Sequence, residues 1–287
     1  MRNLSVIIVT YKSLNIIDDC LTSILKYNDI GNELEIIIVD NSPLDDPLFN
    51  YITNHYQEIK IIKNNNNGGY GQGNNLGISK SEGEIICIMN PDVRLSEPIF
   101  SKTLFEFKNN NKLGMLGYKQ LGGCNLSFYL KPEYNFPVLS SIIIKITNKL
   151  NYFNQKFFYL SGAFIFINKN KFDEIGGFDE NIFLYFEEPD ITNRFTEKKH
   201  EIMFNKKHPY LHLIEDRDVW SESTFKEWLT SLRYYLRKFQ LNEKTYFKGM
   251  KIEYILKLFL LRINHNKIKE EKIKNEYAYF NLLLKEI

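Results

Sequence analysis

Short apolar runs alternate with segments of helical periodicity along the N-terminal third of the chain. Four runs are almost entirely apolar, as in fully buried strands: Leu4–Val9, Leu34–Val39, Ile59–Ile62 and Ile85–Met89. Between them, three segments show a helical spacing of apolar residues: Ser13–Tyr27, Pro47–Tyr56 and, after the glycine-rich loop Asn64–Asn75, Leu76–Lys80. This alternation predicts βαβ units and a Rossmann-like α/β fold, in which helices flank a mostly parallel sheet. Ser13 or Asn15 is expected to cap the first helix.

The pattern from Pro98 onward is less regular. A helix is predicted over Pro98–Asn109, and Gly122–Gly123 indicates a turn within the otherwise unassigned segment Gly114–Asn154. In that segment Val138–Leu150 is apolar with few charges. This pattern is typical either of a helix in the hydrophobic core or of a mobile segment near an amphiphilic ligand.

The second half of the chain contains one acidic helix start. Acidic residues favour the first turn and Pro is tolerated there, so Glu187–Asp190 predicts the beginning of a helix. Asp190 and Arg194 then stand four residues apart and can pair. From Thr224 the pattern is helical almost to the end. The other predicted elements are a strand at SGAFIFI within Phe157–Ile167, a helical turn at Asn170–Glu174, and short strands at Glu201–Asn205 and His208–Leu213.

Polar side chains follow the apolar runs at the points where the strands end. The turn Asn90-Pro91-Asp92 delivers a carboxylate directly after Ile85–Met89. Because parallel strands present their carboxyl ends at one edge of the sheet, Thr10, Tyr11, Asp40, Asn64 and Asp92 are expected to converge there. That edge is where ligands bind in open α/β sheets.

The chain has 287 residues and a net charge of +2, which is unevenly distributed. Residues 225–287 carry 14 Lys/Arg against 7 Asp/Glu, a net +7, which leaves the preceding body at −5. The basic tail is either a set of helices with a solvated lysine-rich face or a surface, with apolar faces such as Ile252–Ile263, that rests on an anionic membrane. Neither a zinc-finger spacing nor an RNA-binding aromatic signature accompanies the charges, so nucleic acid is not an expected partner.

We predict a cytoplasmic protein. The start of the chain has no long apolar segment or small-residue cleavage site, and no stretch has the ~18 uncharged apolar residues of a membrane-spanning helix. Three widely spaced cysteines, Cys20, Cys87 and Cys124, argue against a disulfide framework or a zinc site. The predicted organisation is one α/β domain at residues 1–223, divided at about residue 112 into two halves, followed by a helical basic extension at 224–287.

Five motifs in order resemble glycosyltransferase family 2. They are SVIIVTYKS, IIIVDNSP, NGGYGQGNNLGI, IMNPDVRL, and SGAFIFI with GGFDENIFLYFEEPDITNR. The NPD triplet, where other members carry DxD, is similar to the rhamnosyltransferase-like branch. The resemblance covers about Leu4 to Arg194 and implies a GT-A fold and inverting transfer of a sugar from a nucleotide donor. It also implies that residues 1–223 form the glycosyltransferase domain, with a nucleotide-sugar half at about 1–112 and an acceptor half at about 113–223.

The resemblance also implies roles for individual residues. Asp40 reads the pyrimidine base, and Thr10 and Tyr11 line the nucleoside pocket. The other donor-contacting positions are Asn67, Gly69, Asn75 and Asn90. The GGYGQGNNLG run is not a dinucleotide fingerprint, because it lacks the GxGxxG spacing and follows the third strand.

The metal and catalytic positions also follow from the resemblance. A net-acidic body holds a diphosphate best through a divalent cation, Mg²⁺ or Mn²⁺, which typically takes one or two protein carboxylates plus phosphate oxygens. Asp92 is the expected ligand, and His212 resembles the family's downstream histidine, although a half-buried structural histidine fits as well. Glu188 occupies the position of the catalytic base. The usual Glu-Asp pair is here Glu187-Glu188 followed by Pro189, so Glu187 is a competing candidate.

The sequence therefore predicts an inverting glycosyltransferase that extends a bacterial surface polysaccharide. The donor is expected to be a dTDP-L-rhamnose-like sugar nucleotide, with a UDP-hexose as the alternative. The acceptor is expected to be a lipid-linked glycan at the inner face of the membrane, with peripheral contact through the basic helices. The departure at Glu188-Pro189 keeps a second class open, a non-catalytic subunit that binds the sugar nucleotide in an assembly complex.

Overall fold

A single eight-stranded sheet organises the residues described in the computed structural model, which are 2–122, 126–137, 139–213 and 221–285. Its strands are β1 (Leu4–Thr10), β2 (Leu34–Asp40), β3 (Lys60–Lys63), β4 (Ile85–Met89), β5 (Val93–Arg94), β6 (Leu113–Leu121), β9 (Phe164–Asn168) and β10 (Glu201–His212). They lie in the order β3-β2-β1-β4-β9-β6-β10-β5. A two-stranded sheet pairs β7 (Phe128–Leu130) with β8 (Phe158–Leu160).

Helices cover both faces of the large sheet and continue beyond it. They are α1 (Leu14–Lys26), α2 (Leu48–His55), α3 (Gly69–Ser79), α4 (Phe100–Asn109), α5 (Leu139–Leu150), α6 (Lys169–Glu174), α7 (Glu187–Glu197), α8 (Glu222–Lys238), α9 (Glu243–Ile263) and α10 (Lys267–Leu283). The first four strands run parallel to one another, which confirms the predicted α/β fold. The helix starts at Glu187 as predicted. Ser13 stands at the cap position of α1, but its hydroxyl bonds to the Tyr11 carbonyl instead of capping the helix.

The sheet changes direction in its second half, where the segment Phe157–Ile167 contains the predicted strand SGAFIFI, seen as β9, and a second strand, β8, that was not predicted. The chain leaves β8 at Ser161 and enters the large sheet as β9, which lies antiparallel between β4 and β6. Conversely, the two strands predicted at 201–205 and 208–213 form one strand, β10. A register shift between Asn205 and Tyr210 and the positive φ of His208 (59°) interrupt it without ending it.

The glycine-rich segment predicted as a loop is mostly helix α3. Its glycines allow the helix to lie directly on the sheet: a Cβ at Gly77 would stand 2.5 Å from Ile7 Cγ2, and one at Gly73 would stand 2.8 Å from Val9 Cγ1. Glycine lowers helix propensity. Here the close packing of helix on sheet outweighs that cost, so the composition was misleading.

Within the predicted segment, residues Leu139–Leu150 form helix α5, which is not the core helix that was one of the two alternatives. Only Ser140 is buried, and Leu139, Ile142, Ile146 and Leu150 are each at least half exposed. Val138 itself lies outside the described residues, as do Gly123 and Cys124, on which the turn and the third cysteine rested. Cys20 and Cys87 are buried thiols.

The last three helices have a hydrophobic cluster of their own. Its buried members are Leu229, Leu232, Leu236, Phe247, Tyr254, Phe280 and Leu283. Phe186, directly before α7, packs against this cluster and contacts the rings of Trp228 and Tyr235. None of the helices in the described part of the chain is both long and apolar enough to cross a membrane.

Candidate functional site

The carboxyl ends of the parallel strands lie level at one edge of the sheet, because Thr10 pairs with Asp40 and Asp40 with Lys63. Asp40 is fully buried. Its Oδ2 accepts a hydrogen bond from Lys63 Nζ at 2.8 Å and its Oδ1 accepts one from the Ser42 backbone N–H at 3.0 Å. Thr10 is buried beside it, whereas Tyr11 is 53% exposed. Both Asp40 oxygens thus stabilise the strand ends, and its role in reading the base stays a prediction.

An amide network that the sequence did not predict connects this edge to α3. The buried Asn41 side chain donates to Asn67 Oδ1 at 3.2 Å and to the Gly69 carbonyl at 3.2 Å, and it accepts from Asn64 at 2.8 Å. Asn64 also donates to Gln72. Asn64 was placed at this edge from the sequence, but Asn41 stands inside the IVDNSP motif without any signal of its own. The network holds the loop in front of α3 against the end of β2.

Two residues expected to contact the donor make close contacts within the protein. Gly69 has φ of +88°, and a Cβ there would stand 1.8 Å from the Phe183 carbonyl oxygen, so only glycine fits. Asn75 donates to the Phe178 carbonyl and to Glu180, both at 2.9 Å, and accepts from the Phe178 N–H at 2.9 Å. Both residues therefore fix the 178–183 segment against α3, and their donor contacts stay predictions.

Strand pairing brings Asp92 and His212 together across 120 residues. His212 lies opposite Val93 in the β5–β10 pair, and its Nε2 stands 3.1 Å from Asp92 Oδ1. Both side chains are almost completely buried. Gln120 Oε1 lies 3.2 Å from His212 Nδ1. Asn90 begins the turn, where its N–H donates to the Ala163 carbonyl at 2.8 Å.

The donor set of this pair fits a divalent cation. Its carboxylate oxygen and imidazole nitrogen are both common metal ligands, and Gln120 Oε1 orients the ring of His212 from the other nitrogen, Nδ1. No group of three or more His, Cys, Asp or Glu within the described residues could hold a metal alone. The pair therefore fits a metal that phosphate oxygens help to bind.

Glu187 and Glu188 begin α7 behind a strained turn. Tyr185 and Phe186 both have φ of +69°, a left-handed conformation that non-glycine residues rarely adopt. Glu187 is 3% exposed. Burial and then the charge of Glu188 raise the pKa of Glu187 well above its usual range. Burial also raises the pKa of Glu188, against the lowering effect of N–H donors from Glu188 itself and Gly162. Glu187 is thus the better candidate for the protonated member of the pair.

The backbone of Gly162 lies directly against the Glu188 carboxylate. A Cβ at Gly162 would stand 2.1 Å from Glu188 Oε1, so only a glycine lets the two approach this closely. The Tyr70 hydroxyl donates to the Gly162 carbonyl at 2.7 Å and thereby fixes that peptide. Burial, followed by the charges of Glu188 and Glu187, raises the pKa of Tyr70 well above its usual range. The phenol therefore stays a donor.

One cavity of about 490 Å³ joins these groups. Asn90 and His212 line one part of it, and Glu187 and Glu188 line another. Aromatic side chains form much of the remaining wall, namely Tyr70, Tyr129, Tyr159, Trp228 and Tyr246. Trp228 and Tyr246 come from α8 and α9, which sequence reasoning placed outside the catalytic domain. Flat aromatic faces beside carboxylates suit a sugar, whose C–H faces pack on rings while its hydroxyls find polar partners.

A half-buried lysine connects α8 to the helix that carries the two glutamates. Lys238 Nζ lies 2.6 Å from Asp179 Oδ2 and 2.5 Å from Asp190 Oδ1. Asp190 also pairs with Arg194 at 2.5 Å, as predicted from their spacing. Despite its partial burial, hydrogen bonds from Lys238 and Tyr234 lower the pKa of Asp179. The charges of this junction therefore fix α7 from the side opposite the cavity chemistry.

Comparison with known proteins identifies the family. A model of glycosyl transferase family 2 matches residues 5–176. The low-salt glycan biosynthesis hexosyltransferase Agl10 of Haloferax volcanii is 25% identical over 199 residues, which are 68% of this chain and 62% of that protein. Glycosyltransferase GlyG of Streptococcus pneumoniae is 26% identical over 181 residues, 60% of this chain and 58% of that protein. The matches thus span less than two thirds of these relatives.

Solved structures share the fold at low sequence identity. Mannosyltransferase PcManGT from Pyrobaculum calidifontis, solved with GDP-Man and Mn²⁺, has a TM-score of 0.57 at 13% identity, covering 83% of this chain and 65% of that one. TarS of S. aureus has a TM-score of 0.55 at 18% identity, covering 78% of this chain and 38% of that one. The expected GT-A architecture, a mostly parallel sheet flanked by helices with further C-terminal helices, is confirmed.

Proposed function

The chain belongs to glycosyl transferase family 2, and from this membership and its cavity we propose an inverting, metal-dependent transferase that moves a sugar from a nucleoside diphosphate to an acceptor hydroxyl. One observation carries the proposal: His212 and Asn90 line the same cavity as Glu187 and Glu188. A group that holds a leaving diphosphate and a group that accepts a proton are therefore accessible to one bound donor–acceptor pair.

Glu188 is the proposed general base. Its carboxylate takes the proton of the acceptor hydroxyl while that oxygen attacks the anomeric carbon, and the bond from this carbon to the diphosphate oxygen breaks on the opposite face. Glu188 is half-buried in the cavity wall, whereas Glu187 is 3% exposed and holds a proton more tightly. Gly162 N–H orients the Glu188 carboxylate. Glu187 then supports the base as a neutral neighbour.

Asp92 and His212 are the proposed holders of the metal and Asn90 a contact to the donor. A bound Mg²⁺ or Mn²⁺ would supply charge stabilisation for the departing diphosphate. Gln120 fixes the ring of His212 through Nδ1, which keeps Nε2 turned toward Asp92. The burial of this pair excludes water and strengthens its electrostatic action on the leaving group.

The nucleoside half of the donor is proposed to lie at the ends of β1 and β2, where Thr10, Tyr11, Asp40 and the loop from Asn67 to Gly69 form the edge of the sheet. The proposed donor is a dTDP-L-rhamnose-like sugar nucleotide, on the resemblance of NPD to the rhamnosyltransferase-like branch. A UDP-hexose is the alternative, and a TarS structure in complex with UDP supports that nucleotide as a candidate.

The proposed acceptor is a growing bacterial surface polysaccharide or a lipid-linked glycan. The aromatic walls at Tyr129, Tyr159 and Trp228 suit pyranose rings. Agl10 is named for glycan biosynthesis and TarS for poly(ribitol-phosphate) glycosylation, which supports a polymeric glycan as acceptor class. Such a substrate places the protein in the cytoplasm at the inner face of the membrane.

A donor screen tests the proposal. Sugar nucleotides are compared by thermal shift with Mn²⁺ or Mg²⁺ present, and release of nucleoside diphosphate is then measured with the stabilising donor. We expect metal-dependent release that Asp92→Ala abolishes and that Asp45→Ala, an exposed acid elsewhere, leaves intact. Tight donor binding with no release on any acceptor would instead identify the non-catalytic binding subunit and refute the enzyme.

A further inference from the structure

Helices α5 and α9 each present an apolar stripe to solvent. On α5 the exposed side chains are Leu139, Ile142, Ile143, Ile146 and Leu150. On α9 they are Ile252, Ile255, Leu256, Phe259, Leu260 and Ile263. Both sets repeat at intervals of three and four residues, which places each set along one side of its helix. We call the two stripes together the α5–α9 surface.

The stripe of α9 is additional to the face that this helix buries. Phe247 and Tyr254 pack into the cluster of the C-terminal helices. The helical positions of Ile252, Phe259 and Ile263 lie on the other side, 43 to 60% exposed. A helix that packs on one side and is apolar on the other has no structural need for the second face. Contiguous exposed apolar surface of this kind marks an interaction site.

Basic side chains border both stripes. Helix α5 carries Lys145 and Lys149 and no acidic residue. Helix α9 carries five Lys or Arg against two Glu. Two of these basic side chains form ion pairs, Lys257 with Glu253 at 2.7 Å and Arg262 with Glu270 at 2.8 Å. By the count of charged residues, both helices are net positive. An apolar stripe with cationic borders complements an anionic lipid surface, into which the aliphatic stems extend while the ammonium groups meet headgroups.

The surface is continuous with the cavity that contains Glu188. A second cavity of about 320 Å³ lies between α5 and α9. It shares four lining residues with the larger one, Asn135, Ile144, Trp228 and Tyr246. The acceptor side of the site therefore lies directly behind the gap between the two helices that carry the stripes.

We propose that the α5–α9 surface docks on an anionic lipid bilayer and places the acceptor side of the cavity at the membrane. The inference rests on the proposed function for its acceptor, a glycan carried on a lipid. Both helices lie in the interface: α5 has only 12 residues, about 18 Å, against a hydrocarbon core of ~30 Å, and α9, although 21 residues long, is not apolar enough to cross it. A symmetric second copy is a poorer occupant, since it would bring the same basic borders against each other.

Vesicle sedimentation of the full chain tests the proposal. We expect binding to phosphatidylcholine vesicles that contain about 30% phosphatidylglycerol, weak binding to phosphatidylcholine alone, and loss of binding as salt rises to about 0.5 M. Ile255→Gln with Phe259→Gln, and separately Ile142→Gln with Ile146→Gln, should each lower the vesicle-bound fraction about tenfold. All four side chains are at least half exposed, so folding should be unaffected.

The matched control is Phe105→Gln. Phe105 is 66% exposed on α4 and is far along the sequence from either stripe. Its substitution should therefore leave vesicle binding unchanged. Equal loss in this control, or binding that ignores the stripe variants, overturns the proposal. Light scattering that shows a dimer broken by the stripe variants, with no vesicle binding, assigns the surface to a second copy and overturns it too. Nucleotide release without vesicles tests the proposed function separately, because it needs no docking.

Discussion

Replacing Gly162 by alanine should strongly lower the proposed transferase activity without unfolding the protein. The added Cβ would stand 2.1 Å from Glu188 Oε1 and 2.9 Å from its Cγ and Cδ, well inside contact distance. Gly162 does not have a positive φ, so alanine fits its backbone. The end of a glutamate side chain is flexible, and it can move aside into the cavity. The substitution therefore displaces the carboxylate while the sheet and α7 stay in place.

The required movement sets the size of the effect. Oε1 must retreat by about 1 Å to reach an ordinary contact distance, and a misplacement of this size costs about 10²-fold in rate. The displaced carboxylate also loses the Gly162 N–H that orients it. We expect a fall in kcat of about 10²- to 10³-fold, with a melting temperature within a few degrees of the parent's.

Nucleoside diphosphate release measures the rate, and a double variant tests the cause. If Gly162 acts through the carboxylate, Gly162→Ala should add almost nothing to the loss caused by Glu188→Gln. Full additivity of the two losses would refute this reasoning, as would near-normal activity in Gly162→Ala alone. Unchanged binding of the donor in thermal shift shows that the leaving-group side is intact.

Three further perturbations test other parts of the molecule. Glu188→Gln should lower kcat about 10²- to 10⁴-fold. Glu187→Gln, whose amide mimics a neutral acid, should keep the activity. In a pH–rate profile, the activity of the parent should rise with pH as Glu188 loses its proton, at a pKa above that of a free glutamate. Lys238→Met should lower the free energy of unfolding by about 2 kcal/mol in urea titrations. Its partner Asp179 has a lowered pKa in the folded protein, so the stability that this pair adds to the parent is present above the pKa of Asp179 in the unfolded chain. That stability is lost as the pH falls toward the pKa of Asp179 in the folded protein. Gly77→Ala should cost about 1–3 kcal/mol by overpacking β1, measured by thermal melting.

The parallel half of the sheet was predictable because its signals are local. Each apolar run from Leu4 to Met89 is long enough to form a buried strand, and the helical segments between them require parallel pairing. The errors have a common cause in contacts that are distant in sequence. Helix α3 depends on its packing against Ile7 and Val9, which no pattern within residues 64–80 reveals. The division of residues 157–167 into two strands depends on β9 pairing antiparallel with both β4 and β6.

The candidate site was predictable where a motif carried it and not elsewhere. The turn at Asp92 and the acids at Glu187 and Glu188 follow from local sequence and a family resemblance. The cavity walls have no such signal, since Trp228 and Tyr246 stand within ordinary amphipathic helices. Their role depends on the docking of α8 and α9 beside the sheet, which periodicity does not specify.

This docking changes how the C-terminal helices should be regarded. The division at residue 224 separates them by charge and periodicity, yet Lys238 holds the fully buried Asp190 of α7. Phe186, one residue before the two glutamates, packs on Trp228, whose ring also lines the cavity. An independent appendage would leave the strained turn before Glu187 without the packing of Phe186 on Trp228, and the buried charge of Asp190 with Arg194 but without Lys238. The helices therefore belong to the structure that positions the proposed base, and the same α9 that closes the cavity also carries the apolar stripe toward solvent.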